Sequence, residues 1–282
     1  MAIVSDQLND LTQKEYKRIA DLVYRVAGIN LGEQKMQLVR SRLGKRIRER
    51  GLSTYTEYID LVEADASGQE LSDLLDAIST NTTHLFRENA HFEFLRGVLD
   101  ELVQAANGRQ SVCRIWSAAC SSGEEPYSIA ITADDALQKT RNVQVKILAT
   151  DISTSVLASA QAGVFAADRM AAVPTEFRSR YFKKNKTATG ETFEADPKLR
   201  NMITFSHFNL MSEKFPFRNK FDVIFCRNVM IYFDKPTQEG LVNRFARHLR
   251  PGGYLLIGHS ESLNSVKHPY NYVRPTVYQL PQ

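Results

Sequence analysis

From Thr12 to Leu75 the apolar positions recur at helical spacing. Thr12-x-x-Glu15 has the form of a capping box, in which a hydroxyl and a carboxylate satisfy unpaired amides of a first turn. Behind it Tyr16, Ile19, Leu22, Val23 and Val26 share one face, and Gly28 supplies a stop. Met36, Val39, Leu43 and Ile47 form the stripe of a second helix ending at Gly51. Thr54-x-x-Glu57 opens a third, with Tyr58, Leu61 and Val62 facing inward. Leu71, Leu74 and Leu75 mark a fourth, decorated by Asp73 and Asp76. The pattern predicts an all-helical N-terminal domain over 1–79 and a linker over 80–90.

The period then changes. Val112–Trp116, Val145–Ala149, Met202–Phe205, Phe221–Phe225 and Tyr254–Ile257 are short apolar runs of strand length, with helical patterns at Pro126–Leu137, Val156–Ala160 and Thr237–Leu249. Alternation of this kind predicts an α/β fold with a doubly wound parallel sheet over 91–282. The alternating tail Thr276–Leu280 adds a candidate edge strand. Residues 163–200 are too long for a simple connection, and Lys183–Thr192 reads as a hairpin around Gly190. An inserted small β-subdomain is therefore expected there.

Composition is that of an ordinary globular chain, 43% hydrophobic and 24% charged. No apolar run approaches the length of a membrane span. The segment Met1–Asp6 lacks the basic stretch and apolar core of a secretion signal, so a cytoplasmic location is expected. Cys113, Cys120 and Cys226 show no metal-ligand spacing, and no metal site is predicted. Charge changes the picture at one place. Lys35–Arg50 holds seven basic residues and one acid, exceeding the whole-chain net charge of +4 and leaving the remainder net acidic. Such concentration points to a local docking surface on the second helix.

Two features carry candidate chemistry. Ser117-Ala118-Ala119-Cys120-Ser121-Ser122-Gly123-Glu124-Glu125 follows the first strand and opens a helix, where small residues let backbone amides approach a ligand. Glu125 is equally readable as the acid of a capping box begun by Ser122. Asp151 ends the second strand, the position from which an acid accepts hydrogen bonds from a ribose; a helix cap is the alternative. Both suit a nucleoside-containing ligand and do not separate a nicotinamide cofactor from S-adenosylmethionine.

Four segments carry a resemblance that does. Trp116–Ser128, Phe225-Cys226-Arg227-Asn228-Val229-Met230-Ile231-Tyr232-Phe233, Asn81-x-Thr83-x-x-Phe86-Arg87-Glu88 and Pro251–Glu261 are similar to segments of the chemotaxis receptor methyltransferases, the CheR family. The family's first loop often has Ala where Cys120 stands. The resemblance implies an S-adenosylmethionine-dependent enzyme that esterifies glutamate side chains of chemoreceptors. It places Asn81, Thr83, Arg87, Glu125, Asp151, Asn209, Leu210, Arg227 and Asn228 at the cofactor, with Asp151 on the ribose and Asn209-Leu210 flanking the adenine. It casts Tyr232 as orienting the incoming carboxylate or the methyl donor, and Arg87 as pairing with either the cofactor's or the substrate's carboxylate. It makes the basic helix, with Arg42, Lys45, Arg46 and Arg50, the surface that docks on the receptor's glutamate-rich helices. In some relatives the inserted subdomain also binds a tethering peptide at the receptor's C-terminus.

Other classes fit less well. A nucleic-acid methyltransferase is opposed by Arg227-Asn228-Val229-Met230, where amino-methylating enzymes carry an Asn/Asp-Pro-Pro-aromatic segment, and by the lack of aromatics interleaved with the basic residues. A nicotinamide oxidoreductase is opposed by the missing glycines of the first loop. A non-catalytic S-adenosylmethionine-sensing module is separated from the enzyme only by turnover.

Overall fold

A computed structural model describes residues 8–79, 82–140, 142–188 and 190–282. The chain forms two compact units. One comprises the described residues before position 80 with Tyr232–Asp234; the other comprises the described residues from 82 to 231 and from 235 onward.

The first unit is helical: α1 (Gln13–Ala27), α2 (Met36–Glu49), α3 (Tyr55–Ala64) and α4 (Gln69–Ile78). Both predicted capping boxes form. Thr12 and Glu15 satisfy one another's backbone amides at the start of α1, and Thr54 and Glu57 do so at α3. Tyr16, Ile19, Leu22 and Val23 are buried as their spacing predicts, while Val26 is only half-buried. One inward assignment is corrected. On α3 the buried face runs through Tyr55, Tyr58, Ile59 and Val62, which leaves Leu61 on the flank and exposed.

The second unit begins with a helix absent from the sequence reading, α5 (Ala90–Ala106), whose Phe92, Leu95, Val98 and Leu99 face the core. In chain order follow β1 (Ser111–Ala118), α6 (Glu124–Ala136), β2 (Val143–Asp151), α7 (Thr154–Ala162) and β3 (Val164–Ala166). Then come α8 (Thr175–Tyr181), β4 (Phe182–Thr187), β5 (Gly190–Ala195), α9 (Pro197–Arg200) and β6 (Ile203–His207). The chain closes with β7 (Phe221–Cys226), α10 (Lys235–His248), β8 (Leu249–Ile257), β9 (Asn271–Arg274) and β10 (Val277–Gln279).

The main sheet has the order β6-β2-β1-β7-β8-β10-β9, parallel from β6 through β8. This is the doubly wound α/β class read from the pattern. β3, β5 and β4 form the separate small antiparallel sheet expected of the insertion. The tail strand exists but is not the edge. β10 pairs between β8 and β9, and the edge strand β9 escaped notice because its residues are mostly exposed and carry no apolar run.

Both sheet faces are covered. On one, Trp116 is fully buried, with Phe208, Phe215, Phe217, Phe221 and Phe245 at ring separations of 4.7–6.0 Å, and it donates to Thr150 Oγ1 at 2.9 Å. On the other, Cys113, Ile115, Val223 and Phe225 pack with Phe92 and Leu95 of α5. Strand order reverses at β1, with β2 and β6 to one side and β7 and β8 to the other. The loops leaving β1 and β7 therefore flank the crevice where such sheets bind ligands.

Candidate functional site

The loop after β1 is cramped and partly left-handed. Ala119 and Ser121 have φ of 68° and 49°, and Gly123 has φ of 99°. A Cβ on Gly123 would lie 2.9 Å from Ala160 Cβ, so glycine is required both for its conformation and for the contact with α7. The capping reading of the adjacent acid does not hold. Gly123 caps α6 without a side chain, and Ser122 Oγ donates to Glu124. Glu125 is thereby available for other partners. It accepts from Ser117 Oγ at 2.7 Å and from Arg227 Nη1 at 3.1 Å. Burial raises the Glu125 carboxyl above its ordinary range, against the opposing pull of Arg227 and Ser117.

Asp151, at the end of β2, accepts from the Ser121 amide at 2.8 Å and the Ser153 amide at 3.0 Å. The helix cap is Ser153, which accepts from Val156 N, so Asp151 is not the cap of α7. Its carbonyl accepts from Phe208 N at 2.9 Å, which brings the segment after β6 alongside it. There Asn209 Oδ1 accepts from Met211 N at 2.8 Å, and buried Leu210 accepts at its carbonyl from Arg244 Nη2 at 3.1 Å.

At the end of β7, Arg227 is the hub. Its side chain is 2% exposed and pairs with Glu125 and, at 3.0 Å, with Glu88. It also donates to the carbonyl of Arg87. Asn228, with φ of 58°, donates from Nδ2 to Glu88 at 3.2 Å. Burial works to raise the Glu88 carboxyl, but Arg227, Asn228 and the His259 amide overcome it and hold it below the ordinary range. Removing one partner from a buried ion pair costs about 3–5 kcal/mol, so this cluster is a rigid feature of the site.

The segment before α5 is pinned to the same region. The Phe86 amide donates to Ser128 Oγ at 2.8 Å, Arg169 donates to the Thr83 carbonyl, and Phe86 and Glu88 take left-handed φ of 56° and 58°. Arg87 Nη1 donates to Thr82 O at 3.0 Å. Asn81 lies outside the described residues.

Glu125, Arg227, Asn228 and the Arg87 backbone thus converge, and Asp151, Asn209 and Leu210 form a second group at the neighbouring strand ends. Tyr232 belongs to the helical unit. There Asn30 N donates to its carbonyl at 2.8 Å, and Lys35 Nζ lies 5.5 Å from its ring centroid. Glu88 was not singled out beforehand, although it stands in one of the quoted segments. An acid next to an arginine in a polar stretch reads as solvated.

On the basic helix Arg42 and Arg46 are half-buried and turned toward partners within the unit, while Arg50 is exposed. Arg46 pairs with Glu70 at 2.8 Å and with Asp73, and donates to Tyr58 Oη at 2.9 Å. Arg50 pairs with Glu70, and Arg42 donates to the carbonyls of Ile78 and Ser79. The cause is the acidic face of α4, whose Glu70 is buried. Lys45 remains 81% exposed, within 3.7 Å of Glu49.

Residues 14–79 match the domain described as "CheR methyltransferase, all-alpha domain", and residues 81–279 match "CheR methyltransferase, SAM binding domain". The chain belongs to the CheR methyltransferase family. CheR relatives include the "Chemotaxis protein methyltransferase" of Borreliella burgdorferi, 43% identical over 96% of this chain and 95% of the relative. The "Probable chemotaxis protein methyltransferase" of Rhizobium etli is 44% identical over 92% and 96%, and the Salmonella typhimurium relative is 37% identical over 96% and 91%.

The cofactor of this CheR domain is S-adenosylmethionine. The residues present suit it. Ser121 Oγ and Arg227 Nε are buried donors without a hydrogen-bond partner among the described residues. In the buried cluster two carboxylates, Glu88 and Glu125, meet one guanidinium, an excess of negative charge that favours a cationic ligand.

Proposed function

We propose that this chain transfers a methyl group from S-adenosylmethionine to glutamate side-chain carboxylates of bacterial chemoreceptors, and that it does so in the cytoplasm. The observation that carries this reading is the end-to-end match of both CheR domains, together with relatives named chemotaxis protein methyltransferase that align over nearly their full length. Among the described residues no helix is long and apolar enough to cross a membrane, which accords with substrates met on receptor cytoplasmic helices.

When bound, S-adenosylmethionine supplies an electrophilic methyl on a sulfonium. A glutamate is already ionised at pH 7, so the chain needs no general base, consistent with a site built from ion pairs and backbone amides. Its task is alignment, worth up to roughly 7–11 kcal/mol in the best intramolecular cases. In this reading Asp151 holds the ribose, and Asn209 and Leu210 flank the adenine. Asn81, Thr83, Glu125, Arg227 and Asn228 line the remainder. Arg87 pairs with a carboxylate of cofactor or substrate, and Tyr232 orients the reacting groups. Lys45, with Arg42, Arg46 and Arg50 behind it, forms the receptor-docking helix, and the β3-β5-β4 sheet offers a place for a receptor tail peptide.

Labelled methyl transfer to a receptor signalling fragment, followed by mild base, tests this directly. Counts released as methanol identify carboxyl esters. Base-stable counts, or cofactor binding without transfer, contradict the proposal.

A further inference from the structure

The segment Gly258-His259-Ser260-Glu261, at the end of β8, has no part in the reaction described above, yet it lies against the backbone of the loop that follows β7. Glu261 Oε2 accepts from the Asn228 amide at 3.0 Å and the Gly258 amide at 2.5 Å, and Oε1 accepts from the Met230 amide at 2.7 Å. The Ile231 amide donates to the same carboxylate. One side chain therefore takes up the N–H groups of Asn228, Met230 and Ile231.

Gly258 completes the fit. A Cβ there would stand 2.4 Å from Asn228 Nδ2 and 2.8 Å from Asn228 N. No side chain can be added at 258 without displacing Asn228. Asn228 itself is held left-handed, a conformation asparagine adopts more readily than most non-glycine residues. Its side chain is gripped from another side by Glu88, whose Oε1 also accepts from the His259 amide at 3.2 Å.

We infer that Gly258 and Glu261 are positioning residues for cofactor binding: together they cast the backbone of Asn228–Ile231, and through it fix Arg227 and Asn228. A carboxylate is needed because its two oxygens accept several amides at once, whereas the isosteric amide of glutamine presents an NH2 to donors. This inference rests on the proposed placement of Arg227 and Asn228 at S-adenosylmethionine.

Glu261→Gln and Gly258→Ala in the full chain test it by two readouts. Calorimetric affinity for S-adenosylmethionine should fall about tenfold or more in Glu261→Gln, the scale expected when charge-assisted hydrogen bonds are lost, and should also fall in Gly258→Ala, where the added Cβ displaces Asn228, with KM for a receptor fragment unchanged in both. Hydrogen exchange of the peptide covering Asn228–Ile231 should accelerate by a similar factor, and by more than exchange in the strands of the α/β unit. Glu261→Gln keeping wild-type affinity, or wild-type exchange in that peptide, overturns the inference. Should Glu261→Gln not fold, Gly258→Ala, which leaves the carboxylate in place, decides by the same two readouts. A wild type that binds S-adenosylmethionine but methylates nothing would defeat the proposed function and leave this inference standing.

Discussion

His91 is 1% exposed and sits between Glu88, Arg227, His259 and Arg274, with Nε2 2.6 Å from Thr276 Oγ1. Burial foremost, then Arg227, pushes its imidazole down to about 3, despite the opposing pull of Glu88. The folded chain therefore keeps His91 neutral where the unfolded chain protonates it. Stability is complete above the ordinary histidine pKa of about 6.5 and is lost as pH falls from there toward 3, by up to about 1.4 kcal/mol per pH unit. The sole tryptophan, Trp116, lies in the α/β unit, so its fluorescence follows unfolding of that unit alone. In urea titrations the stability lost between pH 7 and pH 5 should be about 2 kcal/mol larger in the wild type than in His91→Asn. Equal losses would mean that His91 is protonated in the folded state.

At the scale of elements, α2 divides its charges between two tasks. Arg46 neutralises buried Glu70 across the helix interface, whereas Lys45 projects outward. Arg46→Ala should destabilise the helical unit by about 1–3 kcal/mol in thermal melts, because buried Glu70 is left with Arg50 alone and Asp73 and Tyr58 lose a donor. Lys45→Ala should leave stability within about 0.5 kcal/mol and instead slow association with a receptor fragment, most visibly at low salt. If Lys45→Ala associates like the wild type at low salt, the docking face lies elsewhere.

These elements also show what the chain discloses on its own. The buried strands β1, β2, β7 and β8 follow from their apolar runs, the capping boxes of α1 and α3 from the Thr-x-x-Glu spacing, and the inserted hairpin from the length of the connection and the turn at Gly190. α5 was not read, although its apolar spacing is helical, and β9 offered almost no buried residue to mark it. Glu125 and Asp151 were visible as candidates only because small residues and strand ends surround them. Glu88 and Glu261 were not visible, since a carboxylate that accepts amides from a distant loop has no local signature. Likewise, the inward turn of Arg46 depends on Glu70, twenty-four residues away.

Across the whole molecule the two units carry different chemistry. The helical unit holds the concentrated basic stretch and Tyr232, and the α/β unit holds the buried ion pairs of Arg227 and the strand-end carboxylate Asp151. The acceptor atom separates glutamate methylation from other methyl transfers. Tandem mass spectrometry of a receptor fragment, after incubation with the full chain and S-adenosylmethionine, reads that atom residue by residue. Added methyl mass is expected on glutamates only, absent when those glutamates are replaced by alanine and strongly reduced by Arg87→Ala or Tyr232→Phe. Methyl groups found on lysine, on arginine or on a nucleic acid added as competitor would contradict the proposed function.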